Sequence, residues 1–363
     1  MQKKKIMINL SEKQLNIFKI FIFSLVGLTV VIGVGYLLIP WNKPLNAPLD
    51  LPLATTTSTP TPNLTPTDEM QPTLEPSITP TPTIVPACGA PPTMNVLISG
   101  VASNSYLYGL ADAIRIARID FQLKKVTVLA LPRDLWVQIP GLEEQGITAG
   151  KLNQAYFYGT EGMGYYSGRS YGSGLLAETL WSDYGYRADH YLAVNLYSFR
   201  RIVDALGGID VYLPWNAYEQ VNKEPKLFLT RGYHHLNGED AEKLARNRIT
   251  IGDYGRIDNQ TLILRAVAAK LLSSSGIKAI PALVDQLKSN VKTDFSPADI
   301  TQLICLAGML DYKEDLEFIT LPVDLLDQQL IYDPATDTNT AALVADDDQI
   351  RMLLGEFQDG IWP

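Results

Sequence analysis

Histidine and cysteine are scarce in this 363-residue chain, which holds three of the first and two of the second. So few ligands, with no CxxC pair, exclude a zinc site built from them. Cys88 lies in a proline-rich stretch and Cys305 in an apolar, helical one. The expectation is therefore two free thiols, although spacing alone does not decide pairing. A basic surface is lacking too. The net charge is −9, and residues 1–43 carry six lysines and one glutamate, so a net +5 there leaves −14 for the rest. That balance excludes general nucleic-acid binding, which depends on a positive surface to neutralise phosphates. No internal repeat is present.

One long uncharged run stands out. "IFIFSLVGLTVVIGVGYLLI", residues 20–39, is twenty residues without a charge. At 1.5 Å per residue it matches a hydrocarbon core of about 30 Å. The lysines precede it, and Tyr36 and Trp41 stand where interfacial aromatics belong. The reading is a single-pass anchor with residues 1–19 as a basic cytoplasmic tail and everything after residue 43 outside the cytoplasm. "IPWNKP" is a poor cleavage site, which disfavours a removed signal peptide. Residues 44–92 hold thirteen of the 23 prolines and eleven threonines. This composition suits an extended spacer with a reach of roughly 150 Å.

A globular domain is expected over 93–357, with 358–363 as a tail. "MNVLISGV", "AIRIARID", "VTVLAL", "DHYLAVNL", "IDVYLP" and "LEFITLP" read as strands. "GSGLLAETLWSDYG", "YSFRRIVDALGG", "GEDAEKLARNR" capped by Asn237, and a long helix opened by Asp253 or Gly255 read as helices, with more from 279 to 310. Strands alternating with helices mean α/β or α+β, with helices covering a sheet.

Three arginines, Arg246, Arg248 and Arg256, fall within eleven positions of this acidic domain. Arg256 and Gln260 are i and i+4 and share a helix face. Guanidinium forks beside a helix N-terminus suit a phosphate. Taken locally, salt bridges to Glu239, Asp240, Glu242, Asp253 and Asp258 are the more ordinary explanation. "LPRDLWVQIPG" sets Arg133 and Asp134 at the end of an apolar strand, where α/β folds place their sites. "GRSYG", residues 168–172, fits the G-x-S-x-G nucleophile elbow, but a Gly/Tyr loop precedes it where the elbow needs an apolar strand.

Taken in order, "LADAIRIARID", "VTVLALPRDLWVQIPG", "KLNQAYFYG", "DHYLAVNLYSFRRIVDALGGIDVYLP", "LNGEDAEKLARNR" and "GDYGRIDNQ" resemble the LytR–CpsA–Psr family of cell-envelope proteins. The resemblance implies a phosphotransferase that moves a glycopolymer from a polyprenyl pyrophosphate carrier to a peptidoglycan sugar hydroxyl. It also implies an α/β domain, a mixed central β-sheet flanked by helices on both faces, with an apolar lipid pocket. Arg133, Lys151, Arg246, Arg248, Arg256 and Gln260 match the pyrophosphate-binding positions, and Arg133, Arg246, Arg248 and Asp112 the catalytic ones. Asp112 matches a ligand of Mg2+. With the resemblance, the arginines are read as turned inward onto phosphates.

The chain departs from the pattern at Ala102, where an aspartate is expected, at Leu110 in place of an arginine, at Ala113 in place of a threonine, and at Asn259 in place of an arginine. Asn104 or Asp120 are the available substitutes for the missing carboxylate. These departures keep open an alternative, a catalytically weakened binder of polyprenyl phosphates or wall polymer.

Overall fold

The computed structural model describes residues 42–51, 85–248, 252–287 and 290–362. The anchor expected at 20–39, the basic tail and most of the spacer lie outside them.

Three strands, β1 (Thr93–Val101), β2 (Ala111–Asp120) and β3 (Lys125–Leu131), form an antiparallel meander. A short pair, β4 (Trp136–Gln138) and β5 (Ala149–Lys151), leads into α1 (Leu152–Tyr158) and α2 (Tyr171–Tyr184). Next come β6 (His190–Asn195) and α3 (Leu196–Ala205), whose cap Asn195 accepts from the Ser198 N–H. Two hairpin pairs follow, in which β7 (Ile209–Leu213) joins β10 (Gly232–Leu236) and β8 (Ala217–Val221) joins β9 (Glu224–Leu229). Then come α4 (Gly238–Ala245), α5 (Gly252–Leu271) and α6 (Ser274–Leu287). The chain ends with β11 (Val291–Thr293), α7 (Pro297–Ala307), β12 (Leu316–Thr320), the hairpin β13 (Asp327–Asp333) and β14 (Thr338–Val344), and α8 (Asp347–Asp359).

The central sheet runs β11-β6-β1-β2-β3-β12, with β6 parallel to β1 and β12 parallel to β3. This is the mixed, helix-flanked sheet expected. Period-two alternation assigns the faces. Leu97, Ile114, Ile116, Leu129 and Leu131 meet α1, α2 and α8 in the larger core. Met94, Val96, Ala117, Ile119 and Val128 point the other way, onto α7. Farther along that second face, α3, α4, α5 and the β7–β10 pair build a core of their own.

The structure changes several expectations. The further helices expected from 279 to 310 are α6 and α7, with β11 between them, and the long helix opens at Gly252 rather than at Asp253 or Gly255. The expected free thiols are a disulfide, Cys88–Cys305. The stretch around Cys88 belongs to the domain edge, because a 3-10 turn at Ala87–Gly89 packs beside α7 and presents Cys88 to it. The front of the spacer is docked as well. Leu45 N–H donates to the Phe295 carbonyl (3.1 Å), Asn46 Oδ1 accepts from Thr293 N–H (2.9 Å), and Leu49 and Leu51 pack on the larger core. Apolar residues at 45, 49 and 51 are what distinguish this piece from the Thr/Pro repeats after it.

At the end of α2, burial raises the Asp183 carboxyl to about 6, with the Gln138 N–H opposing and Asp347 adding to the rise. A raised acid stabilises the fold below its ordinary value of 3.8, and that contribution is lost as pH climbs through 6. Asp183→Asn should therefore raise stability at pH 7 by about 1 kcal/mol, discounted for partial exposure, and do little at pH 4. Melting curves at the two pH values check this.

Candidate functional site

The carboxyl ends of β1, β3 and β6 and the start of β2 share one edge of the sheet. Asp112 lies at the start of β2, and Arg133 follows β3 through Pro132. The turn is held in place by α1, because Asn153 N–H donates to the Arg133 carbonyl (3.0 Å) and Leu152 N–H to the Leu135 carbonyl (2.7 Å). Leu343 N–H on β14 takes the Asp134 carbonyl (2.9 Å).

Side chains converge there. Arg133 donates from Nη1 to Asp112 Oδ1 (2.7 Å) and from Nε to Asp134 Oδ2 (3.0 Å). Lys151 Nζ lies 3.4 Å from Asp134 Oδ1, and Arg248 Nη2 lies 3.9 Å from Asp112 Oδ2. Gln260 Nε2 donates to the Asp112 carbonyl (3.4 Å). Burial works against the Arg133 charge, but Asp112 and Asp134 outweigh it and hold its pKa above the ordinary arginine value. Arg256 is buried on α5. Arg246 forms in part an ordinary salt bridge, bonding Oε1 of Glu242 (3.0 Å), whose Oε2 pairs with Arg200. Glu239 and Asp240 pair instead with Lys243.

Two cavities meet at this cluster. One, of about 470 Å³, lies between the second face of the sheet and helices α3 and α5. Ile98, Leu192, Val194, Phe199, Ile263 and Leu264 make it apolar, while Asp112, Arg246, Arg248, Arg256 and Gln260 supply its polar part. Small residues leave the space open: a Cβ on Gly100 would meet Ala113 Cβ at 2.9 Å. The other cavity, of about 770 Å³, is the more polar of the two and lies on the Arg133 side, walled by Lys151, Asn153, Phe157, Tyr158 and the β13–β14 hairpin. Ala102 lines both. All seven residues singled out for the site thus line one cavity or the other.

Sequence reading missed Arg115 and Asn153. Alternation along β2 puts Arg115 in the row of Ala113, Ala117 and Ile119, a cation among core positions, and that was the available signal. It is 2 % exposed, and burial pulls its guanidinium down to about 10, with Asp258 partly offsetting. Asn153 is buried beside Asp112 (Nδ2 to Oδ1, 3.5 Å), and its Oδ1 has no hydrogen-bond partner.

The substitutes considered for the missing carboxylate do not reach the cluster. Asn104 Oδ1 accepts from Arg200 (2.9 Å), and Asp120 caps the turn at the far end of β2 through the Gln122 and Leu123 N–H groups. Among the described residues, no three His, Cys, Asp or Glu side chains are grouped to hold a metal ion. Ser170 of the G-x-S-x-G match sits before α2 and is bonded to no histidine; His190 faces Asp294, His234 the Thr230 carbonyl and His235 Asp210.

Comparison with known proteins follows the same outline. The model of the LytR_cpsA_psr family matches residues 74–353. Polyisoprenyl-teichoic acid–peptidoglycan teichoic acid transferase TagV of Bacillus subtilis (strain 168) is 30% identical over 190 residues, 51% of this chain and 45% of TagV. The chain thus spans less than half the length of that relative. Regulatory protein MsrR of Staphylococcus aureus (strain COL) is 24% identical over 267 residues, 73% of this chain and 74% of MsrR. The crystal structure of B. subtilis TagV superposes with a TM-score of 0.58 at 25% identity, covering 74% of this chain and 97% of that one.

Proposed function

Since the chain belongs to the LytR_cpsA_psr family, we propose that it transfers a glycopolymer from a polyprenyl pyrophosphate carrier to a peptidoglycan sugar hydroxyl. The observation that carries this reading is the meeting of two unlike cavities at Asp112 and Arg133. The apolar cavity takes the start of an isoprenyl chain, and the arginines around its polar part take the pyrophosphate. Phe157, Tyr158 and the polar wall opposite take the acceptor sugar. The name of the TagV relative, a teichoic acid transferase acting between a polyisoprenyl carrier and peptidoglycan, supports the same substrate classes.

In this reading the acceptor oxygen attacks the phosphorus that bears the glycan. A new P–O bond to the acceptor forms, and the P–O–P bond to the lipid phosphate breaks. The hydroxyl proton passes to Asp112, and polyprenyl monophosphate leaves. Arg133, fixed by two carboxylates before substrate arrives, and Arg248 neutralise the charge on the phosphate under attack as the P–O–P bond breaks. Preorganised guanidinium groups do this without reorienting.

The chain offers little to a Mg2+ ion. Among the described residues of the cluster, Asp112 Oδ1 is already bonded to Arg133, Asp112 Oδ2 lies 3.9 Å from Arg248, Asp134 Oδ1 lies 3.4 Å from Lys151, and position 102 is alanine. An octahedral ion needs more donors than that from the protein or its substrate. Charge stabilisation therefore rests on the arginines. The same Ala102 is what favours the second reading, a binder that retains the lipid without turning it over.

Outside the cytoplasm is where this reaction belongs, on the far side of the anchor read at 20–39. The disulfide supports that placement, because such bonds persist in oxidising compartments.

The test separates the two cavities. Asn153→Ala should leave affinity for the lipid donor within about twofold while raising the KM for a peptidoglycan-derived acceptor by on the order of tenfold, the loss of one buried hydrogen bond. Loss of donor binding instead of acceptor binding would contradict the assignment of the polar cavity.

A further inference from the structure

Arg115 is placed where a strand offers a core residue, yet it is charged. It faces the apolar cavity from β2, between Ala113 and Ala117. Its Nη2 donates to the Ile257 carbonyl (3.3 Å) and to Thr261 Oγ1 (3.2 Å), which ties the sheet to α5. Its Nε and Nη1 have no hydrogen-bond partner, and among the described residues no carboxylate lies within ion-pair distance of it. A pin between sheet and helix needs no charge. A glutamine or a packed aliphatic residue does the same at less cost, because a buried cation with unmet donors is among the least favourable groups a core can hold. The row it occupies is otherwise narrow. Ala113 and Gly100 keep space open next to it, and Arg256 and Gln260 line the same cavity from the helix that Arg115 grips.

Resting on the function proposed above, we propose that Arg115 is an inner anion site of the cavity. It holds the phosphate nearest the isoprenyl chain through Nε and Nη1, while Arg133 and Arg248 hold the phosphate that carries the glycan. That inner phosphate is the leaving group, so Arg115 meets charge as the P–O–P bond breaks. The guanidinium presents two adjacent N–H groups, the geometry that takes two oxygens of one phosphate.

The experiment compares geranylgeranyl monophosphate with the uncharged alcohol geranylgeraniol as ligands for the full chain in detergent, by calorimetry. Wild type should prefer the phosphate. Arg115→Met should lose on the order of 10- to 100-fold in affinity for the phosphate, the scale of a charge-assisted pair, with affinity for the alcohol equal or higher. Arg115→Gln keeps donors for Ile257 and Thr261 and removes the charge. It should show the same selective loss, and it serves if the methionine variant does not fold. A folded variant that binds the phosphate within threefold of wild type would overturn the inference and leave Arg115 as a structural pin. Failure of the wild type to prefer phosphate over alcohol would overturn both this inference and the function it rests on.

Discussion

Arg133→Ala should lower kcat/KM for glycopolymer transfer by on the order of a thousandfold, the upper range for removing one preorganised charge-stabilising donor. Among the described residues, Arg133 is the one side chain bonded to both Asp112 and Asp134; it lines the polar cavity, and Asp112 lines the apolar one. Without it, among the described residues, the Asp112 carboxylate keeps the Asn153 amide (3.5 Å) and the distant Arg248, and that of Asp134 keeps Lys151. The two carboxylates would then repel the phosphates they now help to receive. Arg133→Lys should recover little, since an ammonium cannot reproduce the planar fork that bridges two carboxylates. The fold should survive, because the turn is also held by backbone bonds from Asn153 and Leu343. Steady-state kinetics beside a melting curve check both halves. A loss smaller than tenfold in a folded variant would remove Arg133 from the reaction.

Cys88→Ser should cost about 2–5 kcal/mol of stability and lower the melting temperature by on the order of 10 °C. The bond closes a loop with a sequence separation of 217, and it fastens the turn before β1 to α7, where the second-face core is small. Activity measured well below the melt should change little. The disulfide sits at the amino end of β1, and the site sits at its carboxyl end, about 30 Å of strand away. Reducing agent should shift the wild-type melt to that of the variant. An unchanged melt would mean the bond contributes nothing in solution.

How far the fold was legible in the sequence follows from where its physics is local. Alternation in "AIRIARID" and the cap at Asn237 depend on neighbours a few residues apart, and those elements stand as expected. The Cys88–Cys305 pair depends on segments that meet only after folding. So does the docking of residues 45–51, whose apolar residues sit among prolines that read as spacer. The β13–β14 hairpin, which walls the polar cavity, is mostly exposed and carries little hydrophobic pattern, so nothing in "LDQQLIYDPATDTNTAALV" announced it.

At the site, Asp112, Arg133, Lys151, Arg248 and Gln260 came from ordered motifs, and the structure joins them in one network. Arg115 shows the opposite case. Its position in the alternation already marked it as buried, but a lone arginine in a strand signals nothing until the cavity beside it is seen. Asn153 is similar, since its orphaned amide oxygen becomes visible only once α1 is packed against Asp112.

The central claim, that two cavities bring a lipid-linked donor and a sugar acceptor together at Asp112 and Arg133, is tested most directly by transfer itself. The full chain would be given a polyprenyl pyrophosphate-linked oligosaccharide and a peptidoglycan fragment, and the products followed by mass spectrometry. The account predicts one phosphodiester-linked conjugate for each polyprenyl monophosphate released, and neither product with Arg133→Ala. Tight retention of the donor, with no monophosphate released in the presence of acceptor, would contradict it and leave the chain a binder.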